Sequence, residues 1–411
     1  MERVMICGVQ TTNQDVAFRA SMDELKRLVE TAQGEVVVEV VQNCHDIDQR
    51  TIVGSGKLQE MQALIAHYDV DTVIFNQPLT PRQSQHLEEA LQLKIIDRIQ
   101  LILDIFAMRA RSKTGQLQVE MAQIDYMLPR LSGSSQHLSR LGGGIGTRGP
   151  GETKLETDRR HLRQKRTKIA RELKEVAKHR ALSRRQRNEN EMLQIGFIGY
   201  TNAGKSTLLN CLTQADTYEK DELFATLDPL TKRWALDNGM IVTLTDTVGF
   251  IQDLPTTLIE AFQSTLEESR HMDILFHVVD ASSPNRHLQE ATVKQLLKDL
   301  EMDHIPSLVI YNKADLVDDF TPTLFPFVLV SAKEKDSEAK IVTALTDLLH
   351  ECWQPYRIHV PSYEGYVLAK MAQHILVEKQ EFDEENNDYK VEGYAPKNSK
   401  WLRKYENELE K

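Results

Sequence analysis

One stretch near the middle of the chain, residues 193–209, restricts the possible folds more than any other. An apolar run, LQIGFIG, leads into a loop bracketed by two glycines, and the loop runs into a helical pattern. Gly199, Gly204, Lys205 and Ser206 match the spacing G-x-x-x-x-G-K-[ST] in the strand, loop and helix context that this pattern requires. The stretch predicts a phosphate-binding loop, and therefore a nucleotide-binding protein.

The residue types in this loop suit a nucleoside triphosphate with Mg²⁺. Glycines let backbone N–H groups point at phosphate oxygens, and the helix that begins near Lys205 adds the positive end of its dipole. Lys205 can neutralise charge at the β- and γ-phosphates, and Ser206 can offer a hydroxyl to Mg²⁺. An ordinary glycine turn before a helix is the alternative, and the agreement of pattern and context favours the phosphate loop.

Length and composition limit the class of protein. A chain of 411 residues has room for about three domains. Its contents of 41% apolar and 27% charged residues are typical of a soluble globular protein. No apolar run reaches membrane-spanning length, the start MERVMICGVQ does not resemble a signal peptide, and the four cysteines are widely separated. We therefore expect a cytoplasmic protein with reduced thiols.

A basic segment interrupts a chain whose net charge is −11. Residues 159–187 contain 13 Lys and Arg but only Glu172 and Glu175 in opposition. The segment lies in a predicted long helix, from Lys154 to about Asn190, whose narrow apolar seam comprises Leu162, Ile169, Leu173 and Val176. We expect it to pair with the preceding helical segment, which Pro129 ends or kinks, and to bind RNA.

The first 110 residues alternate short apolar runs with amphipathic stretches, which predicts an α/β unit with a mainly parallel sheet. The candidate strands are 4–9, 35–41, 72–76 and 94–96, and the candidate helices are 21–32, 57–68 and 81–91.

Residues 54–57, GSGK, resemble a second phosphate loop. One residue separates the two glycines, which is too few to surround a phosphate, so we expect a turn that caps the next helix.

A glycine-rich stretch, LGGGIGTRGPGET at residues 141–153, precedes the long helix. It matches G-x-G-x-x-G at Gly144, Gly146 and Gly149, but no apolar strand precedes it and Pro150-Gly151 follows where a helix should open. From composition alone a flexible linker is favoured. The flanking arginines leave open a loop that touches phosphates.

The segment after the phosphate loop predicts a nucleotide-dependent switch. The runs TKRWAL and MIVTLTD flank an Asp-Asn-Gly turn, so they predict an antiparallel hairpin with Asp246 at a strand exit. Asp246 can hold Mg²⁺ through water, and Gly249 can donate its N–H to the γ-phosphate. Thr226 lies in a long loop and can complete the Mg²⁺ shell only when the γ-phosphate is present.

The end of a second strand predicts which base of the nucleotide the site recognises. A buried strand at residues 306–311 leads into Asn312-Lys313-Ala314-Asp315. The Asp315 carboxylate can accept hydrogen bonds from the N1–H and 2-amino group of guanine, a pair that adenine cannot offer. Lys313 can lie along the base, Asn312 can tie this loop to the phosphate loop, and Ser331-Ala332-Lys333 can face the guanine O6. The predicted substrate is GTP.

The chain resembles the HflX family of GTPases, within the Era and Obg superclass. The resemblance covers nearly the whole sequence and rests on GGGIGTRGPGET, KLETDRR, GYTNAGKST, LFATLDP, DTVGFI, NKAD and SAK. It implies a P-loop GTPase domain, an N-terminal α/β unit with a helical arm, and binding of the large ribosomal subunit and its rRNA. Members of the family resemble ribosome-splitting or rescue factors that act under stress.

The resemblance also implies the residues of the site. Lys205, Thr226 and Gly249 would be catalytic, and Ser206 and Thr226 would hold Mg²⁺. The implied nucleotide contacts are Gly199, Tyr200, Thr201, Asn202, Ala203, Gly204, Lys205, Ser206, Thr207, Phe224, Ala225, Thr226, Leu227, Asp228, Asp246, Thr247, Val248, Gly249, Asn312, Lys313, Ala314, Asp315, Ser331, Ala332 and Lys333.

Phe250 occupies the place where many GTPases have a glutamine that orients the attacking water. An apolar ring cannot orient water, so we expect slow intrinsic hydrolysis. The bound ribosome can compensate by ordering the switch loops. Alternatively, a potassium ion can sit beside Asn202, which resembles the potassium-linked asparagine of related GTPases.

Together these features predict an α/β protein with four parts. They are an N-terminal α/β domain (1–115), a helical arm with the glycine-rich loop (116–192), a P-loop GTPase domain (193–353) and a small C-terminal α+β domain (354–411). We expect a cytoplasmic monomer that binds GTP and GDP. Two other functions stay open from the sequence, an RNA-dependent ATPase or RNA-remodelling enzyme and a nucleotide-gated scaffold that needs no turnover.

Overall fold

The N-terminal part of the chain forms a four-stranded parallel sheet, as the alternating pattern predicted. The computed structural model describes residues 1–11, 15–131, 150–189, 192–213, 224, 230–246, 249–251, 269–397 and 399–406. The first elements are β1 Glu2–Gln10, α1 Asp15–Thr31, β2 Gly34–Asn43, α2 Ser55–Tyr68, β3 Thr72–Phe75, α3 Pro81–Leu91, β4 Lys94–Asp97 and α4 Arg98–Arg109. The strand order is β2-β1-β3-β4, and all three pairs are parallel.

Helix α1 starts earlier than predicted. It begins at Asp15 rather than Ser21. Phe18, Met22 and Leu25 recur at the spacing of one helix face, and Met22 and Leu25 are buried, so the apolar pattern continues into the missed turns. An acidic residue in the first turn also complements the helix dipole.

The GSGK stretch behaves as expected, as the start of a helix. Gly54 is the N-cap of α2, and the ammonium of Lys57 pairs with Glu60 one turn later at 2.8 Å. The prediction of a turn that caps the next helix is confirmed.

Two long helices form an antiparallel pair, as the apolar seam predicted. They are α5 Lys113–Arg130 and α6 Pro150–Glu189. Ile169 lies buried in the seam of α6, with 3% of its surface exposed. Among the described side chains, ion pairs join the helices at Lys113–Glu172, Glu120–Lys165 and Asp125–Arg166. The start of α5 therefore faces the later part of α6, which fixes the antiparallel register.

The start of α6 corrects one expectation. The helix opens at Pro150 rather than near Lys154, so the argument that no helix begins at Pro150-Gly151 was wrong. Proline is tolerated in the first turn of a helix because its missing N–H would have no acceptor within the helix there. The three glycines of the G-x-G-x-x-G match lie outside the described residues.

A buried carboxylate fastens α5 to the N-terminal sheet. Asp97, at the end of β4, has no exposed surface. It accepts hydrogen bonds from the Tyr126 hydroxyl at 2.8 Å, from Arg130 at 3.2 Å and from the Leu79 N–H at 2.9 Å. Breaking such a network would leave an uncompensated buried charge, so the last turns of α5 are held firmly.

The central part of the chain forms a six-stranded sheet around the phosphate loop. Its elements are β5 Gln194–Gly199, α7 Lys205–Thr213, β6 Leu230–Ala235, β7 Ile241–Asp246, β8 Ile274–Asp280, α8 Arg286–Asp299, β9 Ser307–Asn312, β10 Phe327–Leu329 and α9 Ser337–Cys352. The strand order is β10-β9-β8-β5-β7-β6. Only the β6–β7 pair is antiparallel among these described strands. The predicted hairpin, with Asp246 at its exit, is confirmed.

The C-terminal residues form a small α+β structure, as predicted. It comprises β11 Gln354–Pro361, α10 Gly365–Met371, β12 Leu376–Asp383, β13 Asp388–Ala395 and α11 Lys400–Glu406. Its antiparallel sheet has the order β11-β13-β12. The Ile241 N–H at the start of β7 donates to the Gln373 carbonyl at 3.0 Å, so the hairpin of the central sheet contacts this structure directly.

The chain divides into two compact units. One contains Met1–Lys178 together with Phe224, and the other contains the remaining described residues from His179 onwards. No helix within the described ranges has the length and apolar character needed to cross a membrane. The predicted four-part division stays a prediction.

Candidate nucleotide-binding site

Two glycines shape the loop between β5 and α7. Gly199 and Gly204 have φ values of +146° and +94°, in the left-handed region that side chains disfavour. A Cβ at Gly199 would lie 2.2 Å from the Val278 carbonyl oxygen, and one at Gly204 would lie 2.2 Å from Nδ2 of Asn312. The loop therefore approaches its neighbours so closely that neither position tolerates a side chain.

Lys205 lies buried at the start of α7, with 6% of its surface exposed. Its Nζ donates to the carbonyl oxygens of Gly199 at 3.1 Å and Tyr200 at 2.8 Å. Burial lowers the pKa of this ammonium to about 8, although the Asp246 carboxylate acts in the opposite direction. A Cβ at Gly249 would lie 2.9 Å from Nζ, so the backbone of Gly249 lies close to this lysine.

Ser206 and Asp246 meet beside the lysine. The Ser206 hydroxyl donates to Oδ2 of Asp246 at 2.7 Å, and Asp246 is buried at the end of β7. A hydroxyl and a carboxylate are the hard oxygen ligands that Mg²⁺ accepts. Within the described ranges no three His, Cys, Asp or Glu side chains could hold a metal together. The pair fits Mg²⁺.

The backbone of Phe250 pairs with the phosphate loop while its ring is buried. The Thr201 N–H donates to the Phe250 carbonyl at 2.7 Å, and the Phe250 N–H donates to the Gly199 carbonyl at 3.1 Å. Only 3% of Phe250 is exposed. An apolar ring held in the core supplies no group that orients water, and slow intrinsic hydrolysis stays a prediction.

Asn312 connects the predicted base-binding loop, residues 312–315 (here called the base loop), to the phosphate loop, as predicted. Its Nδ2 donates to the Ala203 carbonyl at 3.0 Å, and its Oδ1 accepts from the Ala332 N–H at 3.0 Å. One buried amide therefore holds together the phosphate loop, the end of β9 and the segment that contains Ser331 and Lys333.

Asp315 is exposed and oriented by a hydroxyl. Its Oδ1 accepts a hydrogen bond from the Ser331 Oγ at 2.7 Å. This hydrogen bond lowers the pKa of Asp315, and the nearby Lys333 and Lys313 charges lower it further. The carboxylate is therefore ionised at neutral pH and can accept the two hydrogen bonds that guanine donates.

The structure thus brings together most of the sequence-predicted site residues. Phe224 belongs to the first compact unit, where 2% of it is exposed and its ring centre is 4.6 Å from that of Phe106 in α4, and its contact with the nucleotide stays a prediction. The backbone of Phe224 has a φ of +57°, a conformation that is uncommon for a bulky residue. Six predicted residues lie outside the described ranges, namely Ala225, Thr226, Leu227, Asp228, Thr247 and Val248.

Sequence reasoning missed Asp280, the last residue of β8. Its Oδ2 lies 2.7 Å from the Lys313 Nζ. The available signal was a carboxylate directly after a strongly apolar strand, which is also the context of Asp246. No motif that predicts the other site residues contains this aspartate.

A mainly parallel sheet, a glycine-bracketed phosphate loop and a strand-end aspartate beside Asn312 define a P-loop GTPase. Three family models match the chain, described as GTP-binding GTPase N-terminal at residues 19–107, GTP-binding GTPase Middle Region at 109–187 and 50S ribosome-binding GTPase at 194–313. The chain belongs to the HflX family of GTPases, and it therefore binds GTP and hydrolyses it.

Two relatives illustrate how far the similarity extends. GTPase HflX of Alkalihalophilus pseudofirmus is 47% identical over 97% of this chain and 95% of its own length. GTPase HflX of Caldanaerobacter subterraneus subsp. tengcongensis is 43% identical over 95% and 91%. Among solved structures, the crystal structure of the SsGBP and GDP complex is 21% identical, covering 85% of this chain and 98% of its own, with a TM-score of 0.47. The family assignment favours a GTPase over both alternative functions.

Proposed function

We propose that the protein is a GTP-controlled factor that binds the large ribosomal subunit and splits or rescues ribosomes under stress. It acts as a cytoplasmic monomer built from the four parts 1–115, 116–192, 193–353 and 354–411. The observation that carries the proposal is a cationic face on helix α6. The family model described as 50S ribosome-binding GTPase, matched at residues 194–313, supports the same partner.

The cationic face follows from helix geometry. Five exposed Lys and Arg residues of α6 fall within an arc of about 80° at 3.6 residues per turn, namely Arg160, Arg163, Arg171, Lys174 and Lys178. Among the described side chains, the exposed Thr167 and a single exposed carboxylate, Glu156, fall within the same arc. The buried Ile169 points to the opposite side of the helix, where α6 packs on α5. We call these five residues the cationic face.

In α6, the lysine and arginine side chains beside the apolar seam have different partners from those of the cationic face. Lys165 and Arg166, beside the seam, pair with carboxylates of α5, so their charges are compensated within the arm. In the cationic face, Lys178 pairs with Glu175 of its own helix, and the face as a whole keeps a strong excess of positive charge. A row of cations along a helix fits the phosphate backbone of RNA, and such contacts depend on salt rather than on base sequence.

The proposal assigns roles to the site residues. Lys205, Thr226 and Gly249 act on the β- and γ-phosphates, Asn312 to Asp315 and Ser331 to Lys333 hold the base, and the remaining predicted residues line the nucleotide. Ser206 and Thr226 would hold Mg²⁺, which would supply charge neutralisation at the phosphates. Because Phe250 orients no water, the bound ribosome stimulates hydrolysis. A potassium ion beside Asn202 is a second source of stimulation.

One sedimentation experiment tests the proposal. Purified ribosomes and subunits are centrifuged with the full-length protein and GTP, GDP, a non-hydrolysable GTP analogue or no nucleotide. We expect the protein to accompany the large subunit most strongly with the analogue. We also expect intact ribosomes to separate into subunits in that sample. Equal association in all four samples would contradict control by the nucleotide, and intact ribosomes throughout would contradict the splitting activity.

A further inference from the structure

Asp280 and Lys313 form an ion pair at the edge of the proposed base site. Asp280 ends β8 and pairs in register with Asn312, the last residue of the neighbouring parallel strand β9. The Lys313 Nζ donates to Oδ2 of Asp280 at 2.7 Å. The pair is partly buried, with 28% of the Lys313 side chain and 18% of the Asp280 side chain exposed. The lysine therefore spans the ends of two adjacent strands.

The carboxylate of Asp280 is itself fixed. Its Oδ1 accepts hydrogen bonds from the N–H of Ser282 at 3.0 Å and from the hydroxyl of Ser282 at 2.6 Å. The Ala281 N–H also donates to the Asn312 carbonyl at 2.9 Å. Oδ2 is thus directed at the ammonium by the local turn, and charge-assisted hydrogen bonds of this kind are the strong ones.

The backbone of Lys313 is also committed to one conformation. Its φ is +64°, in a region that residues other than glycine seldom adopt. With the backbone set at one end and the ammonium held at the other, the four-carbon stem cannot rotate freely. An ordered stem offers a fixed apolar edge for a flat ring.

We propose that Asp280 is a positioning residue for purine nucleotides, acting by holding the Lys313 stem in place before the base arrives. The proposal rests on the base site described under the proposed function. Because the stem packs on the face of a ring, it contributes equally to any purine. The choice between guanine and other purines belongs to Asp315, which contacts the edge of the base. Asp280 therefore sets affinity, and Asp315 sets selectivity.

The expected loss follows from the entropy of a lysine side chain. Without Asp280 the Lys313 side chain moves freely until the nucleotide binds, and ordering it then opposes binding. We expect this entropic cost of ordering the lysine side chain to raise the dissociation constants about five- to tenfold. The loss is the same for GDP and inosine diphosphate, since both present the same ring face.

Equilibrium titrations of the full-length protein with GDP and inosine diphosphate test the proposal. We expect Asp280→Asn to raise both dissociation constants by the same factor and to leave their ratio at the wild-type value. Lys313→Met, which keeps a stem but has no ammonium, should have a similar effect. In the Lys313→Met background, Asp280→Asn should add nothing further, whereas a general structural role of Asp280 would still lower affinity.

A matched control comes from the C-terminal sheet. Asp383 and Lys390 form a pair of similar length, 2.6 Å, far along the chain from the base loop. Asp383→Asn removes the same charge from the same kind of pair and should leave both dissociation constants unchanged.

Three results would overturn the inference. They are an unchanged GDP affinity in Asp280→Asn, an altered ratio of the two dissociation constants, and additive losses in the double variant. Asp315→Asn separates this failure from that of the base site. It should shift preference from GDP towards xanthosine diphosphate, and unchanged preference would mean that the base site itself is misplaced.

Discussion

Burial of the Lys205 ammonium couples the phosphate loop to pH. Its pKa is lowered to about 8 in the folded protein, against about 10.4 in an unfolded chain. Below the folded-state pKa, Lys205 is charged in both the folded and the unfolded protein, so the full cost of burying its charge opposes folding. That cost diminishes as pH rises through the window between the two values. Burial favours the neutral form of Lys205, whereas bound phosphate oxygens favour the charged ammonium.

We therefore predict that nucleotide binding takes up a proton above the pKa of Lys205. Calorimetric titration with GDP at about pH 8.5, in two buffers with different heats of ionisation, measures the number of protons taken up. The wild-type protein should take up a fraction of a proton per nucleotide, and Lys205→Met should lack this contribution. Identical apparent enthalpies in both buffers for the wild-type protein would contradict the prediction.

Local residues of the site could be predicted from sequence, and distant partners could not. The roles of Gly199, Gly204 and Lys205 follow from a spacing of a few residues, and the structure supplies the close approaches that require the glycines. Asp280 lies 33 positions before Lys313. Their contact depends on the register of β8 with β9, which periodicity does not specify. The packing of Phe224 on Phe106 also escaped the sequence, because the two residues lie far apart in the chain and no short motif contains both.

At the scale of elements, the α5–α6 pair allows the apolar and the ionic contributions to its stability to be compared. Ile169 is buried in the seam. Arg166 pairs with Asp125 near the surface, with 48% of its side chain exposed. Burying a branched apolar side chain stabilises a fold far more than an exposed ion pair does, because solvent screens the charges.

We predict that Ile169→Ala lowers the stability of the helix pair by about 2–5 kcal/mol, the usual cost of such a core truncation. Arg166→Ala should lower it by about 1 kcal/mol or less. Hydrogen exchange of the α6 amides measures both effects. A loss for Arg166→Ala equal to that for Ile169→Ala would mean that ion pairs, rather than the apolar seam, hold the arm together.

Element types were more predictable than element boundaries. The apolar seam at spacings of seven, four and three predicted α6 because a helix repeats its faces at that period. The first turn depends on how one backbone N–H is satisfied, and Pro150 needs no partner for an N–H that it lacks. The start of α6 therefore escaped a pattern based on apolar residues. The same applies to the early start of α1 at Asp15.

At the scale of the whole molecule, the net charge of −11 conceals a local surface of opposite sign. Neutralising the cationic face, by changing all five of its residues to Gln, should weaken association with the large subunit. The slope of the logarithm of affinity against the logarithm of salt concentration should become shallower by about four. Binding of GDP should not change. Stimulation of GTP hydrolysis by large subunits, which we expect to be strong for the wild-type protein, should be lost.

A variant with the same change in charge provides the control. It carries Gln at five exposed lysines of the second compact unit, namely Lys294, Lys298, Lys335, Lys340 and Lys379. This variant should associate with large subunits as the wild-type protein does, with the same salt dependence. Equal losses in the two variants would mean that overall charge, and not the cationic face, governs the association.

The contact between Phe224 and Phe106 matters for anyone who works with fragments of the chain. Phe224 lies between the phosphate loop and β6 in sequence, yet its ring is covered by a helix that precedes the phosphate loop by about a hundred residues. A fragment cut to begin at residue 193 would retain this aromatic side chain and lose its cover. Water would then meet a large apolar surface, and turnover or solubility measured on the fragment would describe a different molecule.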